Sequence, residues 1–262
     1  MIAAESVPAA SLSDDLAALR DALVDAHHGR ITVDAGDLPV PSCDADAYAV
    51  QQSVADALRW FASSPPSAWK VGAASRDGVP NAAPLPPQRV VATPATFAAG
   101  AFNRILIEGE IAFRLRAPLD GRDESSVIGA IDEWLVTIEV VDPRYADLDR
   151  ASATQKLADQ GVHGALVVGS GRPFHGNVDW RALVARVLRN GDVVRETRGG
   201  HPLGDLMFLL PWLAQHAASR GMPLRAGDVV TAGTWTGVFE AFPGETVDVE
   251  FDGIGRASAT FA

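Results

Sequence analysis

Four charged residues of this chain interrupt apolar stretches, and together they suggest chemistry. Glu108 and Glu110 lie within residues 105–115, Ile-Leu-Ile-Glu-Gly-Glu-Ile-Ala-Phe-Arg-Leu. Glu139 lies within residues 134–141, Trp-Leu-Val-Thr-Ile-Glu-Val-Val, and Lys70 within residues 68–73, Ala-Trp-Lys-Val-Gly-Ala. Each stretch reads as a strand, on which successive side chains face opposite ways. Glu108 and Glu110 therefore share a face with Leu106 and Ala112, while Ile107 and Ile111 take the other. A Glu-x-Glu pair is ordinarily the wet side of a sheet. The apolar flanks on both faces argue against that here, because a buried carboxylate needs a cation or hydrogen bonds. Three carboxylates converging on one point would repel unless a divalent cation held them, and an all-oxygen set suits Mg²⁺ or Mn²⁺. Zn²⁺ fits less well, since no His stands at ligand spacing from these acids. Lys70 reads either as an edge lysine with its amine in water or as a desolvated amine whose lowered pKa suits proton transfer.

The elements that must position these groups follow in chain order. Residues 1–10 form an unpatterned tail. Ser11 or Ser13 caps a first helix with Asp14 and Asp15 in its first turn, and His27, His28 and a left-handed Gly29 close it. Asp44 caps a second helix over residues 45–62, stopped by Ser63-Ser64-Pro65-Pro66. The lysine strand comes next. Residues 77–87, with four prolines, read as a loop. Val90 and Val91 resume a strand, and the carboxylate strand ends at a turn, Asp120-Gly121-Arg122. Residues 125–131 are ambiguous, and 154–159 suggest a short helix. Strands are expected at 134–141, 165–168, 178–188, 193–197, 228–231, 246–251 and 254–261. Asn190-Gly191 marks a hairpin. A helix is expected from Pro202 to Gly221, kinked at Pro211. The result is an α+β chain, an N-terminal helical segment (1–65) followed by a β-rich catalytic domain (66–262).

Bulk properties narrow the function. The 262 residues carry a formal net charge of −11, which argues against a nucleic-acid or anionic-membrane partner. A single cysteine, Cys43, excludes a disulfide framework or a thiolate metal cluster. The N-terminus lacks the pattern of a signal peptide and no apolar run is long enough to span a membrane, so a cytoplasmic protein is expected.

Eight blocks then carry a family resemblance in register along nearly the whole chain. They are Ala47-Tyr48-Ala49-Val50-Gln51, Trp69-Lys70-Val71-Gly72-Ala73-Ala74-Ser75, Ile107-Glu108-Gly109-Glu110-Ile111-Ala112-Phe113, Ile138-Glu139-Val140-Val141-Asp142-Pro143-Arg144, Leu157-Ala158-Asp159, Gly200-His201-Pro202-Leu203, Leu224-Arg225-Ala226-Gly227-Asp228 and Thr231-Ala232-Gly233. The chain resembles the 2-keto-4-pentenoate hydratase and 4-oxalocrotonate decarboxylase family of the fumarylacetoacetate hydrolase superfamily. The resemblance implies a mixed-sheet β roll or sandwich behind N-terminal helices. It places metal ligands at Glu108, Glu110 and Glu139, a proton carrier at Lys70, and substrate contacts at Gly72, Ser75, Asp159 and Thr234. A small 2-oxo acid would chelate the metal, which stabilises enolate charge, and the protein is expected to form a homo-oligomer.

Two departures from the family pattern bear on the substrate. Residues 79–87 lack the acids that family hydratases carry there. The family's Ala-Asp-Asn-Ala-Ser stretch reads Ala158-Asp159-Gln160-Gly161-Val162-His163, which makes His163 a candidate catalytic residue. The expected activity is a metal-dependent lyase acting on a 2-hydroxydienoate, hydratase ahead of decarboxylase. The alternatives are an acylpyruvate-type carbon–carbon hydrolase, disfavoured because no His lies between Lys70 and Glu139, and a weakly active partner subunit of a decarboxylase–hydratase assembly.

Overall fold

A computed structural model describes residues 12–119 and 123–262. The expected N-terminal tail, Ser11 as an alternative cap and the turn at Asp120-Gly121-Arg122 lie outside the described residues. Helix α1 (Asp14–Gly29) is capped by Ser13, whose Oγ accepts from the Leu16 amide. Its left-handed terminal residue is Arg30, at φ 49°, and not Gly29. The Arg30 N–H closes the last turn onto the Ala26 carbonyl, so the reversal falls one residue later than glycine placement suggests. Helix α2 (Asp44–Ala57) has Cys43, not Asp44, at its cap. It stops short of residue 62, and Arg59 beyond its end takes a left-handed φ of 55°.

The β body follows as β1 (Ala68–Gly72), β2 (Asn81–Pro84), β3 (Val90–Ala92), β4 (Ala95–Phe97), β5 (Leu106–Leu115), α3 (Glu124–Ala130) and β6 (Ile131–Val141). Then come α4 (Ala153–Ala158), a 3₁₀ turn (Gln160–Val162), β7 (His163–Pro173), β8 (Val184–Arg189), β9 (Asp192–Arg198) and α5 (Leu209–Ser219). The chain ends in β10 (Val229–Thr234), β11 (Phe239–Glu240), β12 (Thr246–Phe251) and β13 (Gly255–Phe261). One sheet has the order β2-β1-β10-β5-β6-β7-β3 with β11 also on β5, and the other the order β4-β13-β12-β8-β9. The pairs β1/β10, β3/β7 and β4/β13 are parallel and the others antiparallel, so both sheets are mixed.

Several local expectations change. Residues 77–87 hold a short strand, β2, as well as loop; at a sheet edge its one proline, Pro84, is tolerated. The late helix starts at Leu209, so Pro211 falls in its first turn, where a missing N–H leaves no gap, instead of kinking a longer helix from Pro202. Residues 178–183 are not strand; β8 begins at Val184. The hairpin forms as expected, with Asn190 and Gly191 both at positive φ.

Alternation of side chains sorts the larger sheet into two environments. Ile107, Ile111, Phe113, Val136, Ile138 and Val140 face the second sheet, packing with Val247, Val249 and Phe251. On the opposite face Ala68, Ala112, Leu135, Leu166 and Val229 form a smaller apolar patch. Helices α1 and α2 cover one end of that outer face, where Leu19, Leu23, Val50 and Val54 pack with Leu106, Val141, Tyr145 and Leu157. Each such buried Leu or Val contributes roughly 1.5–3 kcal/mol, enough to fix the helices on the sheet. Lys70, Glu108, Glu110 and Glu139 share this outer face by period-two alternation. No described helix is long and apolar enough to cross a membrane.

Candidate metal centre and active site

Strand register builds the site. Antiparallel pairing of β5 with β6 sets Glu108 opposite Glu139 and Glu110 opposite Thr137. The three glutamates present carboxylate oxygens within 4.8 Å of one another. Glu139 is fully buried and Glu110 nearly so, while Glu108 is only half-buried.

Two of the three carboxylates have their own support. Glu110 Oε2 accepts from the Thr231 hydroxyl and, at 3.2 Å, from the Gly233 amide. With the Thr231 proton committed there, Thr137 Oγ1 donates to Thr231 Oγ1 at 3.1 Å. Glu139 Oε1 receives Lys70 Nζ at 2.6 Å and His163 Nδ1 at 2.9 Å. Because a carboxylate only accepts, His163 donates through Nδ1, which leaves Nε2 without a proton. Neither that Nε2 nor Glu139 Oε2 finds a hydrogen-bond partner among the described residues, although both are buried.

Lys70 is held from a second side by the Gly161 carbonyl, 3.0 Å from Nζ. Gly161 lies at φ 60°, and a Cβ there would stand 3.3 Å from Lys70 Cε. The turn between α4 and β7 thus needs glycine both for its conformation and for the lysine beside it.

The electrostatics separate the three carboxylates, two raised and one held low. Burial, and then the charge of Glu139, push Glu108 up to about 7 against the pull of Lys70. Glu110 is raised well above the carboxylate range by burial and by both neighbouring glutamates. Burial works the same way on Glu139, but Lys70 and His163 outweigh it and hold that carboxyl low. For Lys70, burial favours the neutral amine, yet the three glutamates prevail and its pKa rises. The lowered lysine pKa expected from a desolvated amine is therefore not found, since the surrounding carboxylates repay the desolvation. Burial holds His163 below its usual value and keeps it neutral.

Of the residues expected at the site, Lys70, Glu108, Glu110, Glu139 and His163 come together. Gly72 ends β1, with nothing within 4 Å of a Cβ built on it. Thr234 ends β10 opposite Glu110, its hydroxyl accepting from the Thr236 amide at 3.2 Å. Ser75 is exposed in the loop after β1. Asp159 is engaged elsewhere: its oxygens take Arg144 Nε at 2.8 and 2.9 Å. Arg144 in turn donates to the carbonyls of His163 (2.9 Å) and Asp159 (3.2 Å).

Sequence reading assigned no role to Thr231, Thr137, Gly161 or Arg144. Thr231 and Arg144 fall inside quoted blocks, so a signal existed, but their partners are set by register and a turn. His201 is a similar case. Its Nε2 donates to the Ala232 carbonyl at 3.0 Å and its Nδ1 accepts from Leu203, pinning the strand end that offers the Gly233 amide to Glu110.

Comparison with known proteins agrees with this architecture. The curated 4-oxalocrotonate decarboxylase of Pseudomonas putida is 32% identical over 157 residues, 59% of either chain. The 2-keto-4-pentenoate hydratase 1 of Dechloromonas aromatica is 30% identical over 168 residues, 63% of either chain. The chain thus spans about three-fifths of the length of the curated relatives it matches. Among solved structures, 4-oxalocrotonate decarboxylase from Pseudomonas putida G7, complexed with magnesium and adipate, superposes with a TM-score of 0.80 at 25% identity, covering 96% of this chain and 99% of that one. Its α+β architecture of N-terminal helices and mixed, curled sheets is the one described above. The profile described as fumarylacetoacetate (FAA) hydrolase C-terminal matches residues 68–262, the stretch that holds Lys70 and all three clustered glutamates, and so the chain belongs to the fumarylacetoacetate hydrolase family.

Proposed function

We propose that this chain is a divalent-metal-dependent lyase acting on a small unsaturated 2-oxo acid, with hydration of the conjugated alkene as its reaction. The observation that carries this reading is the convergence of Glu108, Glu110 and Glu139 on the sheet face that also presents Lys70 and His163. The donor set fits a hard cation. It consists of oxygen alone, two of its members are pushed to keep protons that a cation would displace, and Glu139 Oε2 is buried without a partner. Glu108, Glu110 and Glu139 would hold Mg²⁺ or Mn²⁺. Bound there, the cation supplies Lewis-acid stabilisation of negative charge gathering on the 2-oxo oxygen.

The chain's own residues divide the remaining work. Lys70, an ammonium between Glu139 and the Gly161 carbonyl, delivers a proton to the far end of the diene, where it stays. It regains one from the 2-hydroxyl as that becomes the 2-oxo group, while the proton lost by the adding water ends on the carbon beside the 2-oxo group. His163 is neutral with a bare Nε2, which suits it to take the proton of the adding water while its Nδ1–H keeps hold of Glu139. It thereby supplies the water-handling group that residues 79–87, without an acid, do not. Gly72, Ser75 and Thr234, at and beyond the ends of β1 and β10, form the substrate's entrance. Asp159 acts at one remove, by holding the arginine that fixes the His163 backbone.

Decarboxylation is the second reading, favoured by the likeness over 96% of the chain to a solved decarboxylase. Purified protein with Mg²⁺ or Mn²⁺, assayed against 2-hydroxydienoates, unsaturated dicarboxylic 2-oxo acids and acylpyruvates, separates these activities. Loss of diene absorbance without carbon dioxide release is the result expected. Release of carbon dioxide selects decarboxylation, and cleavage of an acylpyruvate selects hydrolysis. No turnover by protein that binds metal turns the reading toward a partner subunit.

A further inference from the structure

Behind the His163 wall lies a cavity of about 260 Å³ that the mechanism above does not use. It is bounded by the C-terminal end of α1, the 3₁₀ turn Pro87–Arg89 and the strand ends around Asp142 and Gly164. In a chain of net charge −11, three arginines line it: Arg30, Arg89 and Arg144. His27 joins them, edge-on to Trp60 at 5.0 Å between ring centroids.

The compensation for this positive charge is incomplete. Arg144 is satisfied by Asp159. Asp142, the one acid on the cavity wall among the described residues, already accepts from the Asn103 and Arg104 amides at 2.7 and 3.1 Å. Arg89 is half-buried, and no side-chain hydrogen bond or ion pair of its guanidinium is seen among the described residues; its aromatic neighbour Phe102 lies 6.0 Å away. Burial and the charges of Arg144 and Arg30 all disfavour that guanidinium's proton, with Asp142 alone opposing them. The Gln160 side chain is a second anomaly. The residue is 1% exposed, yet its amide oxygen and nitrogen are both without hydrogen-bond partners among the described residues. A buried amide left in that state costs a few kcal/mol unless a ligand or water meets it. Arg30, an arginine in the left-handed position where glycine is favoured, adds a guanidinium to the cavity wall, one of its nitrogens donating to the Gly100 carbonyl at 3.0 Å.

We propose that this cavity binds the carboxylate of a small organic acid. Arg89 supplies the charge-assisted contact, Gln160 the neutral donor, and Leu58, Trp60 and Pro86 the apolar wall for a short carbon chain. An occupant would lie against His163, whose ring holds Glu139 and whose carbonyl is held by Arg144, so occupancy is coupled to the carboxylate triad through one residue. The acid is either a separate effector or the far end of a substrate that also reaches the triad. The site does not depend on which reaction the triad performs.

Glutarate, with uncharged glutaramide as control, tests the site by titration calorimetry on the full chain with and without Mg²⁺, alongside a glutarate soak of wild-type crystals. Glutarate is expected to bind while glutaramide does not, with density between Arg89 and Gln160. Arg89→Met is expected to weaken glutarate roughly tenfold or more while leaving Mg²⁺ affinity unchanged. Glutarate affinity that ignores Mg²⁺ marks a separate effector. Affinity that rises with Mg²⁺ and falls again in Glu108→Gln marks one acid spanning both sites. Equal glutarate affinity in Arg89→Met, or density only outside the cavity, overturns the proposal and leaves the metal site untouched.

Discussion

Glu108 and Glu139 stand directly opposite each other on neighbouring antiparallel strands, a like-charge pair at the centre of a sheet. Directly opposed like charges destabilise a sheet, and here one partner is fully buried. Lys70 and His163 both approach the same oxygen of Glu139, so they relieve one member of the pair and leave Glu108 and Glu110 with no ion pair of their own among the described residues, Glu110 having only the Thr231 hydroxyl and the Gly233 amide. A divalent cation resolves that imbalance, and the following predictions build on it.

Metal binding is predicted to release protons at mildly acidic pH. Glu108 lies near 7 and Glu110 well above the carboxylate range, so below about pH 7 a cation must displace their protons and its affinity falls. The stability sign follows from the same shift. A carboxyl raised in the fold from its ordinary 4.5 contributes stability at low pH, and that contribution is lost as pH rises from 4.5 through about 7. The metal-induced rise in Tm is therefore expected to be larger at pH 8 than at pH 5.5. Calorimetry in buffers of different ionisation enthalpy reads the protons directly, and none released at pH 6 would contradict the assignment.

Lys70→Met is predicted to cut turnover by about 10²–10⁴-fold while Mn²⁺ affinity is unchanged or improved, because the variant removes a cation that competes for Glu139. Steady-state kinetics paired with Mn²⁺ titration separate the two effects. Equal loss of both would make the lysine a structural counter-ion only.

Gly161→Ala tests the second support of that lysine. The substitution places a methyl in a left-handed residue beside the Lys70 stem, costing about 1–2 kcal/mol of stability. Turnover is expected to fall further than stability accounts for, with metal affinity retained. Wild-type turnover in folded protein would show that the lysine needs no such buttress.

Arg144→Met removes the guanidinium from the buried carboxylate of Asp159, leaving it the backbone amide of residue 144 and His27, each at 3.3 Å, and a loss of about 3–5 kcal/mol is predicted by urea unfolding. Asp159→Asn should cost less, since an amide tolerates burial better than an orphaned charge. A change below about 1 kcal/mol in Arg144→Met would show that the pair is not fully desolvated.

Much of the frame was legible because β5 and β6 are long and largely apolar, β6 is rich in β-branched residues, and charge interrupts each at few positions. Alternation alone put Glu108 and Glu110 on one face, and the two apolar clusters on either side of the sheet agree with it. What alternation does not contain is pairing. Glu139 meets Glu108 because β6 returns beside β5 in one particular register, and Lys70 reaches them across β10, far away in sequence. Short elements escaped for a different reason. β2, β4 and β11 run two to four residues, too few for any period, and exist because a neighbour offers a free edge. Arg30 escaped because the glycine beside it is the better left-handed residue in isolation. Lys70 lies on a strand as expected, and of its two readings the lowered pKa of a desolvated amine is not met, since burial of an amine is visible in sequence and the register that sets the three acids around it is not.

Glu108, Glu110 and Glu139 are predicted to hold a divalent cation on which a 2-oxo acid binds beside Lys70. The most direct measurement is anomalous diffraction from crystals soaked with Mn²⁺ and a 2-oxo acid. A manganese peak enclosed by the three carboxylates is expected, abolished in Glu108→Gln crystals, with the acid's density in contact with it. Protein that turns over its substrate with no peak at these residues, or with the metal bound elsewhere, would contradict the account.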